Sequence, residues 1–271
     1  MALLEAKNIL EGTRMVNQAT LDKLHSMRLS AMADSFSDQV GDTSYKELSF
    51  EERFGMIVDS EWGKRRTSKL QKLIGAAAFR FPNACIEDIE YHADRKLNKA
   101  EILQLSTCRY IQDGHHIILK GAAGNGKSYI GCAFGIAACR NFLSVRYVRL
   151  PELLNDLVVA RGEGTLKKLI KTYQKVDLLI LDEWLLQPLT TEQAMDLFEI
   201  MEVRTRQGAV IFCTQFDPEG WYERIGTVDD VTVSEAIIDR FKYDSYEILI
   251  EGDVSMRERH GLKSKNPGGD E

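Results

Sequence analysis

The 271-residue chain contains no apolar run of membrane-spanning length, so no membrane-spanning helix is expected. No secretory leader is expected. The opening Met1-Ala-Leu-Leu-Glu-Ala-Lys7 is interrupted by charge at once, where a signal peptide needs a basic segment followed by an apolar one. Cytoplasmic residence is the expectation. The five cysteines, Cys85, Cys108, Cys132, Cys139 and Cys213, are odd in number and widely spaced. They offer neither a disulfide framework nor zinc-ligand spacing and read as small reduced core residues. Positive charge is in deficit as well: 35 Lys and Arg face 41 Asp and Glu, a formal charge of −6. That balance argues against indiscriminate coating of nucleic acid, although a local basic surface is compatible with it. The 44% hydrophobic content is ordinary for a soluble protein with a real core, and the length suits one large or two modest domains.

Against this background one stretch stands out. Gly121-Ala122-Ala123-Gly124-Asn125-Gly126-Lys127-Ser128 satisfies the phosphate-loop pattern G-x-x-x-x-G-K-[ST] at every defined position. His116 to Lys120 before it reads as a short buried strand, and Ile130, Ala133, Phe134 and Ala137 after it have helical spacing. In a strand-loop-helix unit the glycines let successive backbone N–H groups point at phosphate oxygens, and the helix presents its positive end to the same anion. The expected binding set is Gly121 through Tyr129, with Lys127 reaching the β- and γ-phosphates and Ser128 holding Mg²⁺.

Val176-Asp-Leu-Leu-Ile-Leu181 is an apolar run ending in Asp182-Glu183, read as a buried parallel strand with two carboxylates at its C-terminal edge. Asp182 is expected in the Mg²⁺ shell and Glu183 as the base that orients and deprotonates the attacking water. A strand ending in solvated acids would look the same in isolation. No base-reading Asn-Lys-x-Asp follows the loop; the nearest approach, Asn98-Lys-Ala-Glu101, precedes it and lacks the Asp. Adenine is therefore favoured over guanine, and an ATPase is the leading idea.

The chain is expected to comprise a helical segment over 1–112, an α/β core over 113–262 and a polar tail over 263–271. In the first, Leu21, Leu24, Met27, Ala31, Met32 and Phe36 form a packing stripe. Ser49 with Glu52 makes a capping box, and Phe54, Ile57, Val58 and Trp62 continue the apolar face of the helix it opens. Lys64, Arg65, Arg66, Lys69 and Lys72 follow, either a DNA-backbone contact or a solvated face. From His115 the pattern alternates, with strands expected at 116–120, 145–149, 178–181, 210–214 and 246–250, implying right-handed crossovers and a parallel sheet covered on both faces. Thr190 with Gln193 forms a second capping box.

With these residues in place the chain resembles the IstB-like transposition helper ATPases of insertion sequences, within the AAA+ group and related to bacterial helicase loaders. The resemblance runs through Leu24-His-Ser-Met-Arg-Leu-Ser-Ala-Met-Ala33, Glu47 to Phe54, Ile86 to Tyr91, Leu179-Ile-Leu-Asp-Glu-Trp184, Gln187 to Thr190 and Ser234-Glu-Ala-Ile-Ile-Asp-Arg240. It implies a five-stranded AAA+ P-loop core preceded by a small all-α domain. It also implies a sensor residue at Gln215, helped by Thr214, and an arginine finger at Arg240 that completes a neighbouring subunit's site. Arg240 near a helix end would otherwise serve as a partner for the helix dipole. Only one strand and a tail follow Arg240, so no helical lid is expected, and each site would be incomplete in a monomer. The implied partners are double-stranded DNA, the transposase of the same mobile element and further copies of the chain in an ATP-dependent ring or filament. Arg161, Lys167, Lys168 and Lys171 are candidates for touching the duplex, or form a solvated helix face. The runner-up is a helicase loader in replication; a binding-only regulatory module is disfavoured because it has no need of Glu183.

Overall fold

The computed structural model describes residues 15, 17–205, 207–225 and 231–261, without the side chains of 231–234, 236 and 237. The expected tail at 263–271 lies outside the described residues. Contacts divide the chain into two compact units, Met1–Gln71 and Lys72–Glu271.

The first unit is helical. Helix α1 (17–26) and α2 (Ser30–Gly41) are separated by Arg28, whose φ of 59° lies in the left-handed region and ends the first helix. The apolar stripe expected from Leu21 to Phe36 is therefore broken, and Met27 is left 57% exposed. A long helix α3 (Phe50–Ala77) follows and runs on past the boundary. Its entry is the expected capping box: the Glu52 N–H donates to Ser49 Oγ (3.2 Å) and the Ser49 N–H to Glu52 Oε2 (2.8 Å). No side chain at its own N-cap satisfies α2, and Glu61 of α3 does so instead, accepting from the Ala31 N–H at 3.0 Å. The Arg65 guanidinium, bonded to Glu61 at 2.8 Å, holds that carboxyl below its usual range.

The second unit begins earlier than the sequence suggested, after Gln71 and not after Gln112. Residues 72–112 fold with it because their apolar side chains, Phe79, Ile86, Ile89, Ile102 and Leu105, are buried there, and helix α4 (Lys99–Ser106) packs on α6 (Lys127–Arg140). A short α5 (Arg109–Gln112) leads into the sheet.

Five parallel strands, β1 (His116–Lys120), β2 (Val145–Arg149), β3 (Leu178–Trp184), β4 (Ala209–Thr214) and β5 (Ser245–Leu249), lie in the order β2-β3-β4-β1-β5. The crossovers are α6, the pair α7 (Leu150–Gly162) and α8 (Leu166–Lys175), α9 (Thr191–Arg204), and the pair α10 (Trp221–Ile225) and α11 (Val231–Lys242). β1 to β4 are buried almost throughout, which is why they read as apolar runs without alternation. β3 extends three residues beyond the expected Leu181, with a register shift against β4 between Leu181 and Trp184. That extension keeps Asp182 and Glu183 on the strand. One face of the sheet is sealed by a cluster in which Trp184, Phe212, Trp221 and Phe241 pack edge-to-face or tilted at 4.7–5.5 Å between ring centroids. After β5 comes a single short helix, α12 (Met256–Arg259), among the described residues. No helix among them is long and apolar enough to cross a membrane.

Candidate nucleotide site

The register of the strands decides which residues meet. Lys120 at the end of β1 pairs with Thr214 of β4 and Leu249 of β5, and Arg149 of β2 pairs with Asp182 of β3. The loop from Gly121, the Asp182-Glu183 pair and Gln215 thus share the C-terminal edge of the sheet, where open α/β sheets bind ligands.

Gly124 and Gly126 take φ values of 88° and 87°, a region costly for other residues. Space is short as well, since a Cβ on Gly124 would lie 2.9 Å from Ser255 Cβ. The N-cap of α6 is Gly126, which has no side chain to cap the first N–H groups of a fourteen-residue helix. Those donors are left for an anion. Lys127 is 9% exposed, and its ammonium donates to the Gly121 and Ala122 carbonyls, both at 2.7 Å. Burial lowers its pKa. The loop therefore fits a polyphosphate: it has unpaired backbone donors and a cation already turned into the loop.

Asp182, 2% exposed, accepts from Tyr147 Oη at 2.5 Å and from the Glu183 N–H at 2.9 Å. Burial, then Asp182, raises the Tyr147 pKa, so the phenol stays a donor. Glu183 has φ 55°, and its carboxylate does not stand free. Arg149 Nη2 meets Oε2 at 2.6 Å and Arg80 Nη1 approaches Oε1 at 3.8 Å. Arg149 is shared with Glu152 at 2.9 Å, and these two carboxylates raise its pKa. Tyr147, Arg149 and Arg80 escaped the sequence reading, although an arginine closing a strand was visible in Val145-Arg-Tyr-Val-Arg149.

A cavity of about 500 Å³ opens beside the loop. Phe81, Ile89, Tyr129 and Met256 give it apolar walls, and Lys127 and Ser128 lie at its phosphate end. The volume is in the ordinary range for a small-molecule site. Segment 72–112, assigned from sequence to a separate helical domain, supplies one wall.

The remaining expected residues are placed differently from these. Thr214 is buried and spans Trp184 O (3.3 Å) and Phe216 O (3.4 Å), whereas Gln215 is exposed. Arg240 is exposed in the last turn of α11, next to Phe241, whose ring packs 4.6 Å from that of His116 at the start of β1. The phosphate loop follows the other end of β1, about 13 Å away at strand rise. Arg240 is thus remote from its own chain's loop and makes no ion pair among the described residues. Arg161 is engaged by Glu192 at 3.0 Å and by Asp196, which removes it from the free basic surface. Lys167, Lys168, Lys171 and Lys175 line a shallow depression on α8.

A family model described as IstB-like ATP binding protein matches residues 22–264. The chain belongs to this family. An insertion sequence ATP-binding protein of Sinorhizobium fredii, y4pL, is 36% identical over 250 residues, covering 92% of this chain and 100% of that one. Among solved structures, the DnaC helicase loader superposes with a TM-score of 0.52 at 16% identity, over 64% of this chain and 100% of that one. AMPPCP-bound DnaA from Aquifex aeolicus superposes with a TM-score of 0.53 at 19% identity, over 66% and 53%. These likenesses establish the fold: the IstB-like chain has an AAA+ P-loop core with a helical N-terminal part, as the sequence led one to expect.

Proposed function

We propose that this IstB-like protein is a cytoplasmic ATPase that assembles on double-stranded DNA, selects or remodels the target and stimulates the transposase of its own insertion sequence. The observation that carries the reading is the placement of the expected site residues at two opposite ends of the sheet. Lys127, Ser128, Asp182 and Glu183 occupy the C-terminal edge, while Arg240, with no ion pair among the described residues, sits at the opposite edge. In this reading the guanidinium serves another copy's phosphate loop, which makes ATP an assembly ligand. Head-to-tail contacts of this kind build rings or helical filaments.

In this reading Ser128 and Asp182 would hold Mg²⁺, which would supply charge neutralisation for the phosphates; one carboxylate and one hydroxyl suit a cation that keeps several waters. Lys127 leaves its loop carbonyls for the phosphates. Glu183, once released from Arg149, takes the proton of the attacking water, and Gln215 orients that water from the neighbouring strand. The relatives' insertion-sequence names support a transposase partner, and the 36% identity to one of them, against 16% to the helicase loader, favours it over a helicase.

The test is strand transfer by the neighbouring transposase on naked target DNA. Addition of this protein with ATP should stimulate it, and Lys127→Ala should not. Stimulation of helicase loading with no effect on strand transfer would transfer the protein to the replication reading.

A further inference from the structure

Helix α3 meets α2 along one side only. Ile57 and Glu61 are buried on that side, and Gln39 Nε2 of α2 donates to the Arg53 carbonyl at 2.9 Å. The adjoining face is open. Phe50, Phe54, Val58 and Trp62 recur there at every fourth residue and all are exposed, Trp62 at 59%. Phe50 stacks on Phe54 at 5.8 Å between ring centroids, and the Arg66 guanidinium lies 4.6 Å from the centre of the Trp62 ring. Apolar residues scattered singly over a surface need no explanation, whereas an aromatic row along one helix marks a contact.

The same face carries a seven-residue repeat. Glu51, Gly55, Val58, Trp62, Arg65 and Lys69 alternate spacings of four and three, the seam along which paired helices interlock. It spans about 27 Å at helical rise. Its centre is apolar, one end acidic and the other basic. Two copies laid antiparallel about Ser60 bring Val58 against Trp62, Glu51 against Lys69 and Phe54 against Arg66, each contact made twice. A parallel pair would set Glu51 on Glu51 and Lys69 on Lys69, like against like. Gly55 suits the antiparallel pairing. Among the described residues no neighbouring atom lies within 4 Å of a Cβ placed on it, so no contact inside the chain asks for glycine in the middle of a helix, where it costs stability relative to alanine. Against Arg65 of the second copy it leaves room for the long side chain.

We propose that this face of α3 docks antiparallel on the same face of a second copy, as a twofold contact that needs no nucleotide. Aromatic anchors at the centre with charge toward the ends are the ordinary anatomy of such an interface. An isologous contact closes on two chains, whereas the head-to-tail contact proposed above continues from copy to copy. The two use different residues, so this contact stands or falls apart from the nucleotide site.

The experiment is sedimentation of the full chain without nucleotide across the micromolar range, with iodide quenching of tryptophan fluorescence on the same samples. Trp184 and Trp221 are buried, so quenching reports Trp62. The chain should pass from monomer to dimer, and Trp62 should become protected as it does. Trp62→Glu should weaken the dimer about 100-fold or more, because symmetry removes two anchors at once. Glu51→Lys and Lys69→Glu should each weaken it about three-fold or more, and the double exchange should restore it, which a mere loss of folding would not allow. A chain that stays monomeric throughout, a dimer indifferent to Trp62→Glu, or a double exchange without restoration overturns the proposal. So does a monomer whose Trp62 is already shielded from iodide, which would give the face to another segment of the same chain, and so does shielding that appears only with the transposase, which would give it to that partner.

Discussion

Replacing Arg149 with alanine should raise basal ATP turnover. On the proposed mechanism Glu183 is the base, yet its carboxylate is held by Arg149 at 2.6 Å and approached by Arg80 at 3.8 Å. The Arg149 side chain is 38% exposed and that of Glu183 25%, so water screens the pair. An exposed pair of this kind is worth about 0.2–1 kcal/mol, which corresponds to a shift of about 1.4- to 5-fold in the fraction of free Glu183. Glu152 competes for the same guanidinium at 2.9 Å, which keeps the effect toward the lower end. Steady-state phosphate release at saturating ATP, with and without duplex DNA, measures it. Basal turnover should rise within that range, and stimulation by DNA should shrink by the same factor if DNA acts by freeing Glu183. The double variant Arg149→Ala with Glu183→Gln should be inactive. A fall in turnover of Arg149→Ala, with ATP binding intact, would refute the reasoning and make Arg149 a residue the reaction needs.

Three further outcomes are expected. Lys127→Ala should abolish ATP binding while Glu183→Gln keeps binding and loses turnover, because the first removes phosphate neutralisation and the second only the base; equal defects in nucleotide titration and hydrolysis would dissolve that distinction. Arg240→Ala should lower turnover by about 10³-fold or more, and mixing it with Lys127→Ala should restore some activity, since a mixed interface pairs an intact loop with an intact finger. No recovery in confirmed mixed assemblies would make Arg240 structural. Stability should fall in acid through His116, which is 1% exposed, accepts from the Val210 N–H at 3.1 Å and has its pKa pushed down by burial to about 4. The unfolded chain takes up that proton more readily, near the usual 6.5, so the contribution is present above pH 6.5 and is lost as pH falls toward 4. Between pH 8 and pH 5 it amounts to on the order of 2 kcal/mol, and urea midpoints for His116→Gln should show a flatter pH dependence than the parent.

The parts of the site that were legible are those where chemistry dictates residue type within one local segment. A loop that curls around phosphate needs Gly124 and Gly126 at positive φ, and a strand buried on both faces needs the run before Asp182. Both signals survive in a single sequence because spacing carries them. Both capping boxes were legible for the same reason, and Thr190 with Gln193 closes as expected at 3.0 and 3.3 Å. The contributions of Arg149 and Arg80 depend on register and on long-range packing. Arg149 meets Glu183 only because β2 pairs with β3 in the register Arg149↔Asp182, a fact no window of sequence contains. The domain boundary went astray in a similar way. Helical periodicity continues through residues 72–112, but Phe79, Ile89 and Ile102 are buried in the α/β unit, and periodicity does not say against what a face packs.

The cavity has a consequence for how ATP could drive assembly. Its walls come from segments far apart in the chain: Phe81 and Ile89 before the sheet, the loop after β1, and Met256 and Arg257 after β5. These segments are tied to one another by Arg95 to the Asn125 carbonyl, by Asp94 to Arg259, and by the Met256 N–H to the Gly124 carbonyl. A nucleotide filling the cavity would touch all three and stabilise their arrangement by its own binding free energy. Binding in cis then needs no neighbour. On the proposed reading only turnover waits for Arg240 of another copy, because that arginine lies a strand's length from its own loop. Affinity for ATP should accordingly be set by one chain and be independent of protein concentration, whereas hydrolysis per chain should rise with concentration and saturate. Titration of the chain at fixed ATP separates the two, and hydrolysis strictly proportional to protein from the lowest concentration upward would show that the site is complete without a partner.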